Sequence, residues 1–102
     1  MIARHWRGVA KADQADAYIH HLQTETFPSI RRLPGFVSAS ILRRTVPAGI
    51  EFLIVTHWAS FDSIRAFAGG DIDVAVVAPA AEAMMVDYDR FVRHYEVVEG
   101  TP

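Results

Sequence analysis

The two tryptophans, Trp6 and Trp58, are the side chains best suited to holding a flat apolar molecule. An indole offers a large planar surface, and each one falls in a segment that reads as a strand. Arg4 stands two residues before Trp6, so an extended backbone puts both on one face. A guanidinium there can hold an anionic or enolate oxygen. His94 lies in the stretch Val92-Arg-His-Tyr-Glu-Val97, and an imidazole facing the same space can act as a general base near neutral pH. Tyr18 sits beside His20 and His21 on a helical segment and is a further candidate for lining the site. Adjacent histidines diverge by about 100° around a helix, so His20 and His21 are not expected to share a metal ion. One of them can still face the site. His5 and His57 have the opposite parity to the tryptophans and are expected at the other sheet face, against a partner copy or solvent. Each candidate also has a plain structural reading: core aromatics, an ion-paired arginine, a hydrogen-bonded histidine. No phosphate-cradling glycine loop, nucleophile elbow or carboxylate–histidine metal spacing occurs.

The elements that must carry these residues are legible from periodicity. Residues 2–9 alternate as a strand, and Lys11 to Phe27 reads as a helix with Ala12, Ala15, Ile19, Leu22 and Thr26 at helical spacing. Pro28 is expected to kink or end that helix, because it lacks an amide hydrogen and crowds the preceding turn. A short helical piece at Ser29–Leu33 follows, stopped by Pro34-Gly35. Phe36 to Arg44 is a second strand, with Val37, Ala39 and Ile41 on one face. Thr45–Gly49 is a hairpin loop, and Ile50 to Ala59 a third strand. The run Phe52-Leu-Ile-Val55 is apolar on both faces, which makes the third strand central and covered twice. Ser60 to Ala68 is a second long helix with Ser60 as N-cap, ended by Gly69-Gly70. A turn at Asp71–Val77, a short helix from Ala80 to Val86 and a last strand from Tyr88 to Val98 complete the chain, with a frayed tail at Glu99–Pro102. This order is βαββαβ, a ferredoxin-like α+β arrangement: a four-stranded antiparallel sheet with helices on one face. A second copy of the chain is the simplest cover for the other face.

Composition bounds the possibilities. One hundred and two residues suit one domain spanning 1–102, and 51% are apolar. The net charge of −2, with both signs interspersed, excludes the clustered basic footprint of a nucleic-acid binder. The chain has no cysteine, so disulfides, thiolate metal sites and a cysteine nucleophile are excluded. No apolar stretch is long enough to span a membrane, and the amino terminus reads as a strand rather than a secretory signal. A cytoplasmic location is expected.

Four segments carry a resemblance to a known family: Ile2-Ala-Arg-His-Trp-Arg-Gly8, Leu33-Pro-Gly-Phe36, the stretch Phe52 to Phe67 with Thr56-His-Trp-Ala-Ser60, and Val92 to Val97. They resemble the dimeric α+β barrel superfamily and, within it, the antibiotic biosynthesis monooxygenase type of domain. The resemblance implies a ligand pocket between helices and sheet, and a homodimer whose sheets pack face to face. It also implies membership in a group that includes cofactor-free oxygenases of polyphenolic or quinone-type substrates and haem-degrading enzymes. The haem-degrading members share a residue like Trp58, but they use an asparagine on the first strand and a histidine after the second helix. Here Trp6 takes the first place, and Asp71–Pro79 has no histidine, which argues against haem.

Two functions from different classes follow. The first is cofactor-independent monooxygenation of an aromatic or phenolic small molecule, with Trp6, Trp58, Arg4 and Tyr18 binding substrate and His94 as base, and with no cofactor or metal. The second is a ligand-binding barrel without catalysis. Fold analogy does not choose between them.

Overall fold

In a computed structural model describing residues 1–102, β1 (Ile2–Ala10) occupies a central position, antiparallel to β3 (Gly49–Trp58) along its full length. β2 (Phe36–Val46) pairs with the far side of β3. The last strand of the sequence reading is two pieces, β4 (Met85–Tyr88) and β5 (Arg93–Glu96), which pair with the two ends of β1. The lateral order is β2-β3-β1-β4, with β5 also on β1. That is the expected ferredoxin-like α+β sheet, and the doubly apolar third strand is central as its pattern requires.

The helices cover one face. A 3₁₀ turn at Ala12–Gln14 leads into α1 (Ala15–His21), a π-helical turn (Leu22–Thr26) and α2 (Phe27–Ile30). Pro28 therefore does not end the helix. The π turn absorbs it, with the Phe27 amide donating to the Leu22 carbonyl. The buried residues Ala15, Tyr18, Leu22, Phe27 and Ile30 step by three or four except from Leu22 to Phe27, where the π turn adds one residue. The insertion keeps Phe27 and Ile30 on the sheet side. α3 (Phe61–Ala68) starts as expected, with the Ser60 side chain accepting from the Ser63 amide at 3.3 Å, and ends at Gly69 with φ 82°. α4 (Pro79–Glu82) is shorter than the sequence reading placed it.

Sheet alternation sorts the side chains. Even-numbered residues of β1 and β3 face the helices, where Ile2, Ala10, Phe52, Ile54 and Trp58 join Tyr18, Leu22, Phe27 and Ile64 in the core. Odd-numbered ones face away. That outer face carries Ala3, His5, Val9, Leu53, Val55 and His57, with Leu42 and Tyr95 about half exposed, and no element of the chain lies over it. A bulge at Val37 lets Phe36 and Ala39 both reach the helix side, so Val37 leaves the face it was expected to share with Ala39 and Ile41. No helix is long and apolar enough to cross a membrane.

Candidate functional site

The even-numbered face of β1 places Arg4 and Trp6 under the helices, with Gly8 next in line. A Cβ at Gly8 would collide with the Trp6 ring, so glycine is what lets the indole lie along the strand. Trp6 Nε1 donates to the Asp89 carbonyl at 2.9 Å, which fixes the ring between Tyr18 and Tyr88, each 6.2 Å away by centroid. The carbonyl belongs to the break between β4 and β5, so that interruption serves the site.

Arg4 is buried. Its Nη1 donates to the Ile72 carbonyl and to His94 Nε2 (2.8 Å), and Nη2 donates to the Val74 carbonyl at 3.1 Å. The guanidinium lies 5.6 Å from the Phe67 ring centroid. These bonds hold the irregular segment after α3 against the sheet. Burial lowers the Arg4 pKa to about 10, against the upward pull of Asp73, so it stays charged at neutral pH.

Arg4, Trp6, Tyr18, Ile54, Thr56 and Phe67 are among the walls of an inner cavity of about 70 Å³. Outside it lies an open cleft of about 720 Å³, walled among others by His21, Glu25, Leu33, Ala66 and Ala78. Thr26, Ile30, Phe67 and Val76 line both, so the two spaces adjoin. Tyr18 is 3% exposed, its hydroxyl bonds no protein group but is not itself sealed off, and desolvation raises its pKa so that it stays protonated. Thr56 accepts from Trp58 Nε1 at 2.8 Å.

Three of the expected site residues, Arg4, Trp6 and Tyr18, thus line one cavity. Trp58 does not. It is fully buried behind Phe67, stacked on that ring at 5.8 Å and met edge-on by Phe36 at 5.4 Å. Its parity is right, but it lies at the end of β3 opposite Ile2, where the core closes over it.

His94 also stands outside the cavity lining. It pairs with Arg4 in the sheet, which puts it on the helix side, and its ring is met edge-on by Phe61. An arginine only donates, so Nε2 is the acceptor and Nδ1 carries the hydrogen toward Asp73 Oδ1 at 3.2 Å. Desolvation and then the Arg4 charge lower the His94 pKa, outweighing Asp73. The lone pair a general base needs is thus occupied by Arg4. His21 makes no side-chain hydrogen bond and lines both the cleft and a small recess shared with Trp6 and Tyr18. Helical phase alone did not separate it from exposed His20. His5 and His57 lie on the outer face, as their parity requires.

No curated protein matches the sequence. Solved structures match throughout its length. SnoaB of Streptomyces nogalater, a cofactor-independent oxygenase solved as a mutant, is 17% identical with a TM-score of 0.69, covering 99% of this chain and 96% of that one. The heme-degrader MhuD of Mycobacterium tuberculosis, with two hemes bound in its active site, is 18% identical with a TM-score of 0.70 and full coverage of both chains. A Bacillus cereus protein described as an antibiotic biosynthesis monooxygenase is 16% identical with a TM-score of 0.69, covering 100% and 95%. At such identities the likeness is one of fold. The antibiotic biosynthesis monooxygenase family model matches residues 1–72, from β1 through α3, and the chain therefore belongs to the antibiotic biosynthesis monooxygenase family.

Proposed function

We propose that the protein is a cofactor-independent monooxygenase acting on an aromatic, phenolic or quinone-type small molecule held between the helices and the sheet. One observation carries this reading: a mostly apolar cavity, with Thr26 and Thr56 among its walls, keeps hydrogen-bond donors of Arg4 and Tyr18 unspent. Trp6 walls that cavity, and Trp58 supports it from behind through Phe67. The likeness in fold to SnoaB supports the oxygenase class.

In this reading the substrate loses a proton to become an electron-rich anion that reacts with dioxygen directly. One oxygen atom replaces the two hydrogens of a ring methylene, whose oxidation to a carbonyl supplies the electrons, and the other oxygen leaves as water. The chain excludes water from the ring, orients it, and accepts the proton. We assign the proton to His21, whose ring is free, and give His94 the task of holding Arg4 in place. The same reading includes a homodimer through the outer sheet face.

The test is oxygen uptake on a panel of anthrones, whose ring methylene is the group oxidised. Wild type should consume oxygen above the protein-free rate, and His21→Ala should lower turnover by roughly a hundredfold, as for loss of a general base. His94→Ala falling as far, with His21→Ala unchanged, would return the proton to His94. The second reading, a binding module without catalysis, is favoured by the engagement of both His94 nitrogens, and wild type inert on every anthrone would support it. Haem is a third reading. The segment after α3 gives Val76 and Ala78 to the cleft and no imidazole, so the one imidazole that lines the cleft is His21 on the opposite, helical wall.

A further inference from the structure

Arg4 is a buried cation whose counter-charge its own chain does not complete. It is 4% exposed, and none of its hydrogen bonds ends on a carboxylate. Asp73, whose field reaches it, stands across the His94 ring with its own side chain 68% exposed. Burying a charge without a close partner is costly, and a fold keeps one only where something repays it. The unspent donors have a shape. Three guanidinium hydrogens are engaged, two on Nη1 and one on Nη2, which leaves Nε–H and one Nη2 hydrogen on the two nitrogens that share an edge of the guanidinium. Such an edge grips a carboxylate with two parallel bonds. The unpartnered Tyr18 hydroxyl lines the same space. Volumes agree with this. About 70 Å³ admits a carboxylate but not a ring system, whereas the adjoining cleft of about 720 Å³ is within the usual range for a ligand site.

We propose that the inner cavity is a carboxylate subsite, and that the ligand is an aromatic acid whose ionised group sits on Arg4 while its rings run outward past Phe67 into the cleft. The proposal rests on this cavity being the ligand site, as argued above, but not on any oxygen chemistry. It goes beyond a transient phenolate, because the charge on Arg4 is permanent and needs a permanent partner.

The test is calorimetric titration of the full chain at neutral pH with naphthoate and its neutral isostere naphthamide. Wild type should bind naphthoate roughly tenfold to a hundredfold more tightly, the range of a charge-assisted hydrogen-bonded pair. Arg4→Gln should bind the two alike, with circular dichroism confirming its fold. Arg4→Lys keeps the charge and loses the planar edge, so it should retain a reduced preference, and it serves if the glutamine variant does not fold. Equal binding of both compounds by wild type, a preference surviving in Arg4→Gln, or no naphthoate binding at millimolar concentration would overturn the proposal. A preference for naphthoate without oxygen uptake on any substrate would overturn the oxygenase reading and leave the carboxylate subsite standing.

Discussion

Arg4 and Arg7 lie on the same strand, on opposite faces of the sheet, and their surroundings are opposites. On the outer face Arg7 Nε meets Glu51 at 2.9 Å and Nη1 meets Asp89 at 3.8 Å, while Arg44 shares Glu51 at 2.7 Å. The arginine with the more solvated side chain is the one its chain supplies with carboxylates. Under the helices Arg4 receives carbonyls and an imidazole instead. Solvent already screens exposed charges, so the outer pairs add little and ask for nothing more. The inner one is the charge we propose a ligand completes. A second contrast runs alongside. The helix side is packed around Phe52, Trp58 and Ile64, each fully buried, whereas the outer side leaves Leu42 and Tyr95 about half exposed.

The sharpest way to break this contrast is to cut the core. Trp58→Ala is expected to cost about 3–5 kcal/mol, as for a buried aromatic, read as a lower urea midpoint. Leu42→Arg on the outer face should leave the fold intact. If a second copy covers that face, the wild-type midpoint rises with protein concentration and that of Leu42→Arg does not. Equal concentration dependence in both, or none in either, would remove the dimer from this face.

A smaller effect concerns the clamp on the helix side. His94 is held below its ordinary pKa of 6.5, so the fold prefers it neutral. A group depressed in this way stabilises above its unfolded pKa, and that contribution is lost as pH falls through 6.5 toward the folded value. The urea midpoint of wild type should therefore drop on acidification below pH 6.5 by more than that of His94→Gln, which accepts from Arg4 but does not titrate. Parallel curves would show that His94 does not couple the clamp to pH. His5, also depressed by burial and by His57, is common to both proteins and cancels in the difference.

Much of this was legible from residue types. Alternation put Arg4 and Trp6 together on β1, and Ser60 and Gly69 marked the ends of α3, because each is a local rule with little competition. Trp58 shares the parity of Trp6, but only the strand register puts it and His94 on the helix side, and a face is wider than a cavity. Trp58 lies where Phe36 and Phe67 close over it, and His94 turns its lone pair to an arginine ninety positions away in sequence. The segment after α3 has no period to read, and it becomes a wall only through carbonyls bound to Arg4. The choice between His20 and His21 depended on helical phase beside a π turn that Pro28 hinted at but did not define.

The central claim is that the helix-covered face performs oxygenation with the substrate's own electrons. It is tested most directly by turnover of an anthrone under isotopically labelled dioxygen, with chelator present, and mass analysis of the product. The account predicts a quinone carrying one labelled oxygen atom, formed faster than in the protein-free control and at an unchanged rate with chelator. Product formed no faster than the control, or a rate abolished by the chelator, would contradict it.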